Sequence, residues 1–472
     1  MGLPRTDFRN EPPTGGGIRR PRRGGMLLLL AIASLVVSAC AGRVSTDVQP
    51  VPTASEACIQ NEQGTGCLPV GPESARVDLA PPTFSHPTRV DNPLHPTGVV
   101  SSELYLGRVG GLPFRTEVTL LPGTRTIEWN GQAVEVLESQ YFAYLDGRIH
   151  EVALDWYAQA DDGSVWYLGE DVFNYEDGVL ADIHGTWQAG RDGPAAMIMP
   201  ANPAVGDTYR PENAPGIVFE EVTVQSTDVT VGGPDGPVPG AIVVRELHMD
   251  GSFEAKTFAP GYGEFTTGGG NDLEAIALAV PTNARSGPVP AELRALTDGA
   301  NRIYEIAGGV AGGEAQTAFA EISAAWEATR ALGIPPMLES QMVEGLAALD
   351  GAVKTQRAAE IRQAAIGVAR AAYDLQLMYR PAADIDLARF ELMVRQLGLD
   401  VASGDAGAVA GDATTLEWIR DRFVSSLSAA EAGEVNGLLE RIRTAADGED
   451  LQAAEEYAAR LGDVLAAILP TD

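Results

Sequence analysis

Residues 126–137 read Thr-Ile-Glu-Trp-Asn-Gly-Gln-Ala-Val-Glu-Val-Leu. Apolar and polar residues alternate on both sides of Asn130-Gly131. Both central residues of a tight hairpin turn need a positive φ, which Asn-Gly adopts with little strain. The stretch therefore predicts a strand Thr126–Trp129, a two-residue turn and a strand Ala133–Leu137. The same pattern recurs in both directions. Phe114–Leu121 alternates upstream. Downstream, Asp146-Gly147 separates Gln140–Leu145 from Ile149–Gln159, and Asp162-Gly163 turns the chain into Ser164–Leu168. Asp177-Gly178 leads into Val179–Trp187, and Asp250-Gly251 lies between Ala241–His248 and Ser252–Phe258, with Ile217–Thr230 before them. Strands joined by two-residue turns must be neighbours, so the expectation is an antiparallel meander, closed or curled into a barrel or sandwich.

The pattern changes near Pro281. From Pro288 to Leu469 the chain is rich in Ala, Leu, Glu and Arg. Ile361, Ala365, Val368, Ala372 and Leu375 recur at three or four residues, which is one face of a helix. Breaks at Gly312-Gly313, Gly333–Pro336, Arg380-Pro381, Gly404 and Gly448 predict seven or so helices in an antiparallel bundle. The fold class expected is α+β, an antiparallel β-domain at 91–270 followed by an all-α bundle at 288–470. An offset of 92 residues pairs Trp326 with Trp418, Arg330 with Arg422, Glu339 with Glu431, Gly345 with Gly437 and Leu346 with Leu438. This suggests a duplicated helical hairpin.

Ahead of both parts lies an export signal. Arg19, Arg20, Arg22 and Arg23 precede an apolar run from Met26 to Ala39. That run is shorter than the roughly 20 residues a permanent transmembrane helix needs. Its end, Val37-Ser38-Ala39-Cys40, resembles the lipobox of bacterial lipoproteins. The resemblance implies cleavage of residues 1–39 and lipidation of Cys40, which would anchor the chain to the extracytoplasmic face of the bacterial cell membrane. Residues 40–90 are rich in Pro, Thr, Ser and Gly and read as a flexible tether. Cys58 and Cys67 lie within it, and in an oxidising compartment they are expected to form a disulfide.

Composition restricts the function classes. The chain has 472 residues, 45% of them hydrophobic, enough for packed cores in about two domains. Its formal charge is -32, and residues 1–39 are net basic. The remainder of the chain, from Cys40 on, is more acidic still, which opposes binding to nucleic acid or to a bare anionic membrane. The lipid, not surface charge, is then the membrane contact. Lys occurs only at 256 and 354 and there is no Walker loop, which argues against phosphate handling. No Gly-x-Ser-x-Gly is present, and the five His (86, 95, 150, 184 and 248) show no metal-ligand spacing.

The richest stretch for chemistry runs from Asp155 to Tyr209. It holds Trp156, Trp166 and Trp187, with Glu170, Asp171 and Asp192 between and after them. Aromatics on adjacent strands pair across a sheet and build core. The functional alternative is an aromatic-lined cleft with those three carboxylates at its rim. Within this stretch, Trp166-Tyr167-Leu168-Gly169-Glu170-Asp171, Trp187-Gln188-Ala189-Gly190-Arg191-Asp192-Gly193 and the segment Met199-Pro200-Ala201-Asn202-Pro203 through Gly206-Asp207-Thr208-Tyr209 form a set with Ala259-Pro260-Gly261-Tyr262-Gly263. Together they resemble an uncharacterised β-rich domain of bacterial lipoproteins and secreted proteins, over about residues 90 to 267. The resemblance implies a β-rich fold and no particular activity. Gly185-Thr186 and Pro194–Met197 are details in which this chain differs.

Three functions compete. The first is a non-catalytic binding or interaction lipoprotein with an envelope ligand or protein as partner, needing no cofactor. The second is a cation-handling protein; Asp161-Asp162-Gly163 and Gly169-Glu170-Asp171 crowd carboxylates but lack the twelve-residue calcium-loop pattern, and Met337, Met342, Met378 and Met393 are scattered as core fillers. The third is a hydrolase with Glu170 and Asp192 as acid and base. His184 beside Asp182 is the remaining acid–base grouping. The expectation is the first: no enzyme, and no resident metal.

Overall fold

The computed structural model of the chain describes residues 58–269, 272–307 and 312–468, which all belong to one compact unit. The expected export signal, Cys40 and the first part of the expected tether lie outside these residues. The described part is α+β, with fourteen strands of antiparallel sheet followed by eight helices.

Six strands form the first meander: β1 (Ser102–Val109), β2 (Leu112–Trp129), β3 (Gln132–Leu145), β4 (Arg148–Gln159), β5 (Val165–Glu176) and β6 (Val179–Asp182). Two short strands, β7 (Trp187–Gln188) and β8 (Ala196–Met199), return to pair with β5. The second meander comprises β9 (Thr208–Ala214), β10 (Val218–Gly233), β11 (Gly236–His248), β12 (Phe253–Ala259), β13 (Gly263–Gly269) and β14 (Asp272–Val280). β1 pairs with β14, so the sheet order runs β6-β5-β4-β3-β2-β1-β14-β13-β12-β11-β10-β9. The two edges, β6 and β9, share no ladder, so the sheet curls without closing.

The expected hairpins form where Asn130, Asp146 and Asp177 take φ of 51° and the glycine after each is also positive. Phe114–Leu121 and Thr126–Trp129 are not separate strands. They are one strand, β2, with a register shift between Leu120 and Thr124, where Pro122-Gly123 interrupts the ladder. The expected strand Val179–Trp187 breaks into β6 and β7.

Residues 58–90 do not hang free. The Cys58–Cys67 disulfide is present with a Cα separation of 5.2 Å. Glu62 N donates to Met249 O, Arg76 bridges to Thr208, and Asp161 accepts from Ser85 N at 2.8 Å. Fixed backbone contacts of this kind correct the expectation of a tether for residues 58–90, which are fastened along the sheet.

The helices are α1 (Ala291–Ile306), α2 (Gly312–Arg330), α3 (Pro336–Thr355), α4 (Ala358–Gln376), α5 (Ala382–Ser403), α6 (Ala406–Phe423), α7 (Ala429–Asp447) and α8 (Leu451–Ile468). They form two four-helix groups of the same connectivity. In the first, α1 packs on α2 and α4, and α3 on α2 and α4; in the second, α5 packs on α6 and α8, and α7 on α6 and α8. The offset of 92 residues carries each helix of the first group onto its counterpart in the second. The eighth helix escapes a count based on glycine and proline, because α3 ends at Gln356 with φ 58° and no glycine.

Both groups pack on the outer face of the curled sheet. Leu104, Leu278 and Val280 join the core of α1–α4. Phe142, Tyr144, Ile149 and Val152 join the core of α5–α8. Gly178 sits so close to α6 that a Cβ there would come within 2.3 Å of Gly407 O.

Between these two cores lies a buried ionic cluster. Arg115 of β2 grips Asp374 of α4 with both guanidinium nitrogens, at 2.7 and 2.9 Å, and also Glu117 at 2.6 Å. Arg389 of α5 reaches Asp374 at 2.7 Å and Asp386 at 3.2 Å. Arg422 of α6 pairs with Glu117 and donates to Gln140 Oε1 at 2.6 Å. Burial opposes ionisation of Asp374 and Glu117, but the arginines outweigh it and hold both carboxyls below their ordinary range. Removing one partner of such a cluster strands the others. Asp374→Ala is expected to cost about 3–5 kcal/mol in chemical denaturation. Breaking the exposed Arg302–Glu321 pair with Glu321→Ala is expected to cost about 0–1 kcal/mol. Equal losses at the two sites would refute this account of the interface.

Candidate functional site

Because side chains alternate across a strand, the face opposite the helices points into the curl of the sheet. There it encloses a cavity of about 170 Å³. Nearly every strand contributes. Glu103 and Tyr105 come from β1, Thr116 and Val118 from β2, Tyr141 from β3, and Asp155 and Tyr157 from β4. Tyr209 comes from β9, Glu220 from β10, Glu246 from β11, Lys256 and Phe258 from β12, Glu264 from β13 and Glu274 from β14. His95 adds lining from outside the sheet and packs edge-on against Tyr157 at 4.7 Å.

The lining is acidic and largely buried. Burial raises Glu103 to about 8, with the negative charge of Glu264 adding to the effect. Burial likewise raises Asp155 to about 7, although Tyr167 donates to it at 2.6 Å. Glu274 rises to about 7 by burial. Glu170, next to Asp155 in the β4–β5 ladder, rises to about 8 by burial and the charge of Asp155. Tyr209 is fully buried, and its hydroxyl has no hydrogen-bond partner. The same is true of His95 Nε2, and burial depresses that imidazole to about 4.

At one side the acids are partly paired. His248 Nδ1 lies 3.1 Å from Glu220 Oε1 and its Nε2 3.6 Å from Glu254, and these bonds raise it to about 10. Burial works against Glu220, but the bond from His248 and the charge of Lys256 bring it down to about 2. Lys256 Nζ lies 2.7 Å from Glu246, which burial and the charge of Glu220 still raise to about 8. Glu220, Glu246 and His248 place one ligand atom each within 4.8 Å of one another, the geometry of a metal-binding triad. Two positive groups already stand there: Lys256, and His248 when protonated.

The residues singled out in the sequence lie elsewhere. Trp156, Trp166 and Trp187 are 1%, 4% and 0% exposed in one hydrophobic core, and none lines the cavity. Trp156 donates to Glu138 and lies beneath Arg125; Trp166 donates to Ser164. Trp187 meets Tyr167 edge-on at 5.5 Å, and Tyr167 stacks on Tyr157 at 4.9 Å. Trp187 thus backs Tyr157 through Tyr167. Glu170 is buried beside Asp155. Asp171 pairs loosely with Arg125 at 3.5 Å. Asp192 is held by Arg191 at 2.6 Å and by Gln188 N, so Glu170 and Asp192 have separate partners. His184 meets Asp182 through its backbone N, not its ring.

Glu103, Glu220, Glu246, Glu264 and Glu274 were missed, and Asp155 and Lys256 were noticed in the sequence without being assigned to a site. One signal was available. Glu246 and His248, and Glu254 and Lys256, are spaced by two on either side of Asp250-Gly251, which puts four ionisable groups on one face of a hairpin. No protein-family model matches the chain, and no curated protein matches its sequence.

The lining sets the pH response. Glu103, Glu170 and Glu246 have folded values of about 8 against an ordinary 4.5. Their stabilisation is complete below pH 4.5 and is lost as pH rises through 8. His248, raised from 6.5 to about 10, is lost over pH 6.5–10 in the same direction. His95, depressed from 6.5 to about 4, opposes them only between pH 4 and 6.5. The melting temperature is therefore expected to fall from pH 6.5 to 9, and Glu103→Gln to flatten that fall. A melting temperature that rises over this window would contradict the electrostatics of the lining.

Proposed function

We propose that this chain is a non-catalytic binding lipoprotein of the bacterial envelope, anchored through lipid on Cys40, whose β-domain takes a small ligand into the sheet. The observation that carries the reading is the 170 Å³ cavity, enclosed by strands from both meanders and lined by aromatic and carboxylate side chains. Binding sites are concave, partly apolar and furnished with a few convergent polar groups, and the cavity has these properties. The helices cover the opposite face, so the ligand end and the helical end of the molecule are separate surfaces of one sheet.

Support for the anchor is the order of basic flank, short apolar run and Val37-Ser38-Ala39-Cys40. No helix among the described residues is long and apolar enough to cross a membrane. The disulfide Cys58–Cys67 suits an oxidising compartment. The motif resemblance to a β-rich envelope domain is part of the same proposal. A non-catalytic role is supported by the partners of the ionisable groups: His248 is tied to Glu220 and Glu254, and Asp192 to Arg191.

Two measurements test this. Cys40→Ser is expected to move the protein from the membrane to the soluble fraction and to block signal removal; full membrane retention with normal processing would sink the anchor. Native mass spectrometry of protein purified from its own envelope is expected to show a small bound molecule, absent from a variant in which Ser139, a buried residue of the cavity lining, is replaced (Ser139→Trp) and whose fold is checked by circular dichroism. If the filled variant carries the same adduct, the cavity is not the site.

A further inference from the structure

We infer that the cavity is built for a small organic cation, an ammonium or quaternary ammonium group carried on a few carbons. This rests on the reading of the cavity as the ligand site and names what that site selects.

The first ground is charge. Six carboxylates line the cavity: Glu103, Asp155, Glu220, Glu246, Glu264 and Glu274. Lys256 is the only lysine or arginine among the lining residues. It sits 2.7 Å from Glu246 and 3.7 Å from Glu264. Glu103, Asp155 and Glu274 have no basic side chain at ion-pair distance among the described residues. Burial leaves all three holding their protons above the ordinary carboxylate range, and a cation supplied from outside provides the counter-charge that one of them needs to ionise.

The second ground is independent of the acids. Tyr209 is 0% exposed, lines the cavity and leaves its hydroxyl unpartnered. Buried hydroxyls rarely go unsatisfied, so this one points to a group that is present when the site is filled. Tyr105, Tyr141, Tyr157 and Phe258 add further aromatic side chains to the lining, the kind of surface that alkylated ammonium groups favour. Size agrees. An engineered cavity of roughly 150 Å³ accommodates benzene, with six heavy atoms. The 170 Å³ here suits a ligand of similar bulk.

A divalent metal on Glu220, Glu246 and His248 fits less well. A metal ligand must be deprotonated. His248 is instead held by two carboxylates, and Lys256 already occupies Glu246. A metal would have to displace one cation and deprotonate another, whereas an organic cation leaves both in place.

The test uses the full chain in detergent and isothermal titration calorimetry. The probes are methylammonium, tetramethylammonium and choline, with 3,3-dimethylbutan-1-ol as the neutral isostere of choline. At least one cation is expected to bind, and choline to bind at least ~10-fold tighter than its isostere. The double variant Glu103→Gln/Glu274→Gln, checked for an unchanged fold by circular dichroism, is expected to weaken the bound cation by ~10-fold or more and to leave the isostere unaffected. Equal affinity for choline and the isostere would overturn the cation inference and leave the binding function standing. The same holds if none of the cations binds while native mass spectrometry still finds an adduct. Stabilisation by zinc or calcium chloride alone, lost in His248→Ala, would replace the organic cation with a metal. Absence of any probe binding and of any adduct would remove both readings.

Discussion

The interface between sheet and helices depends on one carboxylate. Asp374 accepts from Arg115, Arg389 and Gln341, and through these it joins β2, α3, α4 and α5. Arg422 of α6 adds another helix of the second group by way of Glu117. Arg115, Arg389 and Arg422 meet Glu117, Asp374 and Asp386 in this cluster, and Arg370, beside Arg115, adds a further positive charge. Buried pairs of this kind add little net stability over apolar packing, because desolvation offsets the attraction. What they add is specificity of arrangement: an apolar interface tolerates sliding, whereas a bidentate guanidinium–carboxylate pair does not. The two apolar cores on either side supply the adhesion, and the cluster sets the register of both helical groups on the sheet.

That arrangement frees the other face. A sheet covered by helices on one side usually needs a second apolar layer or solvent on the other. Here the sheet curls upon itself instead, with apolar clusters around Trp187 and Phe265 and a polar cavity between its strands. Carboxylates with raised affinity for protons are held there at a cost in stability, as functional sites commonly are. The large cores beneath the helices offset that cost.

Much of the architecture was legible locally. Asn130-Gly131 and the Asp-Gly pairs mark turns because positive φ is a property of the residues themselves. Helix breaks at Gly404 and Gly448 were visible for related reasons. The β1–β14 pairing was not, since it joins residues some 170 apart in the chain and leaves no local trace. Nor was the end of α3, where Gln356 takes a left-handed φ that tertiary packing imposes. The short capping signature Ser428-x-x-Glu431 does mark the start of α7, a second break that a count of glycines and prolines passes over. For the site, rarity misled. The tryptophans draw attention because there are six, yet bulk sends them to the core. The carboxylates that line the cavity are individually common, and only their shared face, set by the curl, makes them a group.

The strongest indication that this group is functional comes from β2 itself. On its outer face, Arg115 and Glu117 belong to a cluster in which every carboxylate has an arginine partner. On its inner face, Thr116 and Val118 line a cavity where six acids meet one lysine. The two environments are one residue apart on the same strand, and both are buried. One objection is that a chain with 65 acidic and 33 basic side chains buries unmatched acids by composition alone. But the same chain, on the same strand, balances its outer acids with arginines. Composition acts on both faces equally and so cannot account for the difference. The surplus of acidic over basic side chains inside the sheet is therefore a property of the cavity; raised proton affinity neutralises part of it, and a cationic ligand would take the place of such a proton.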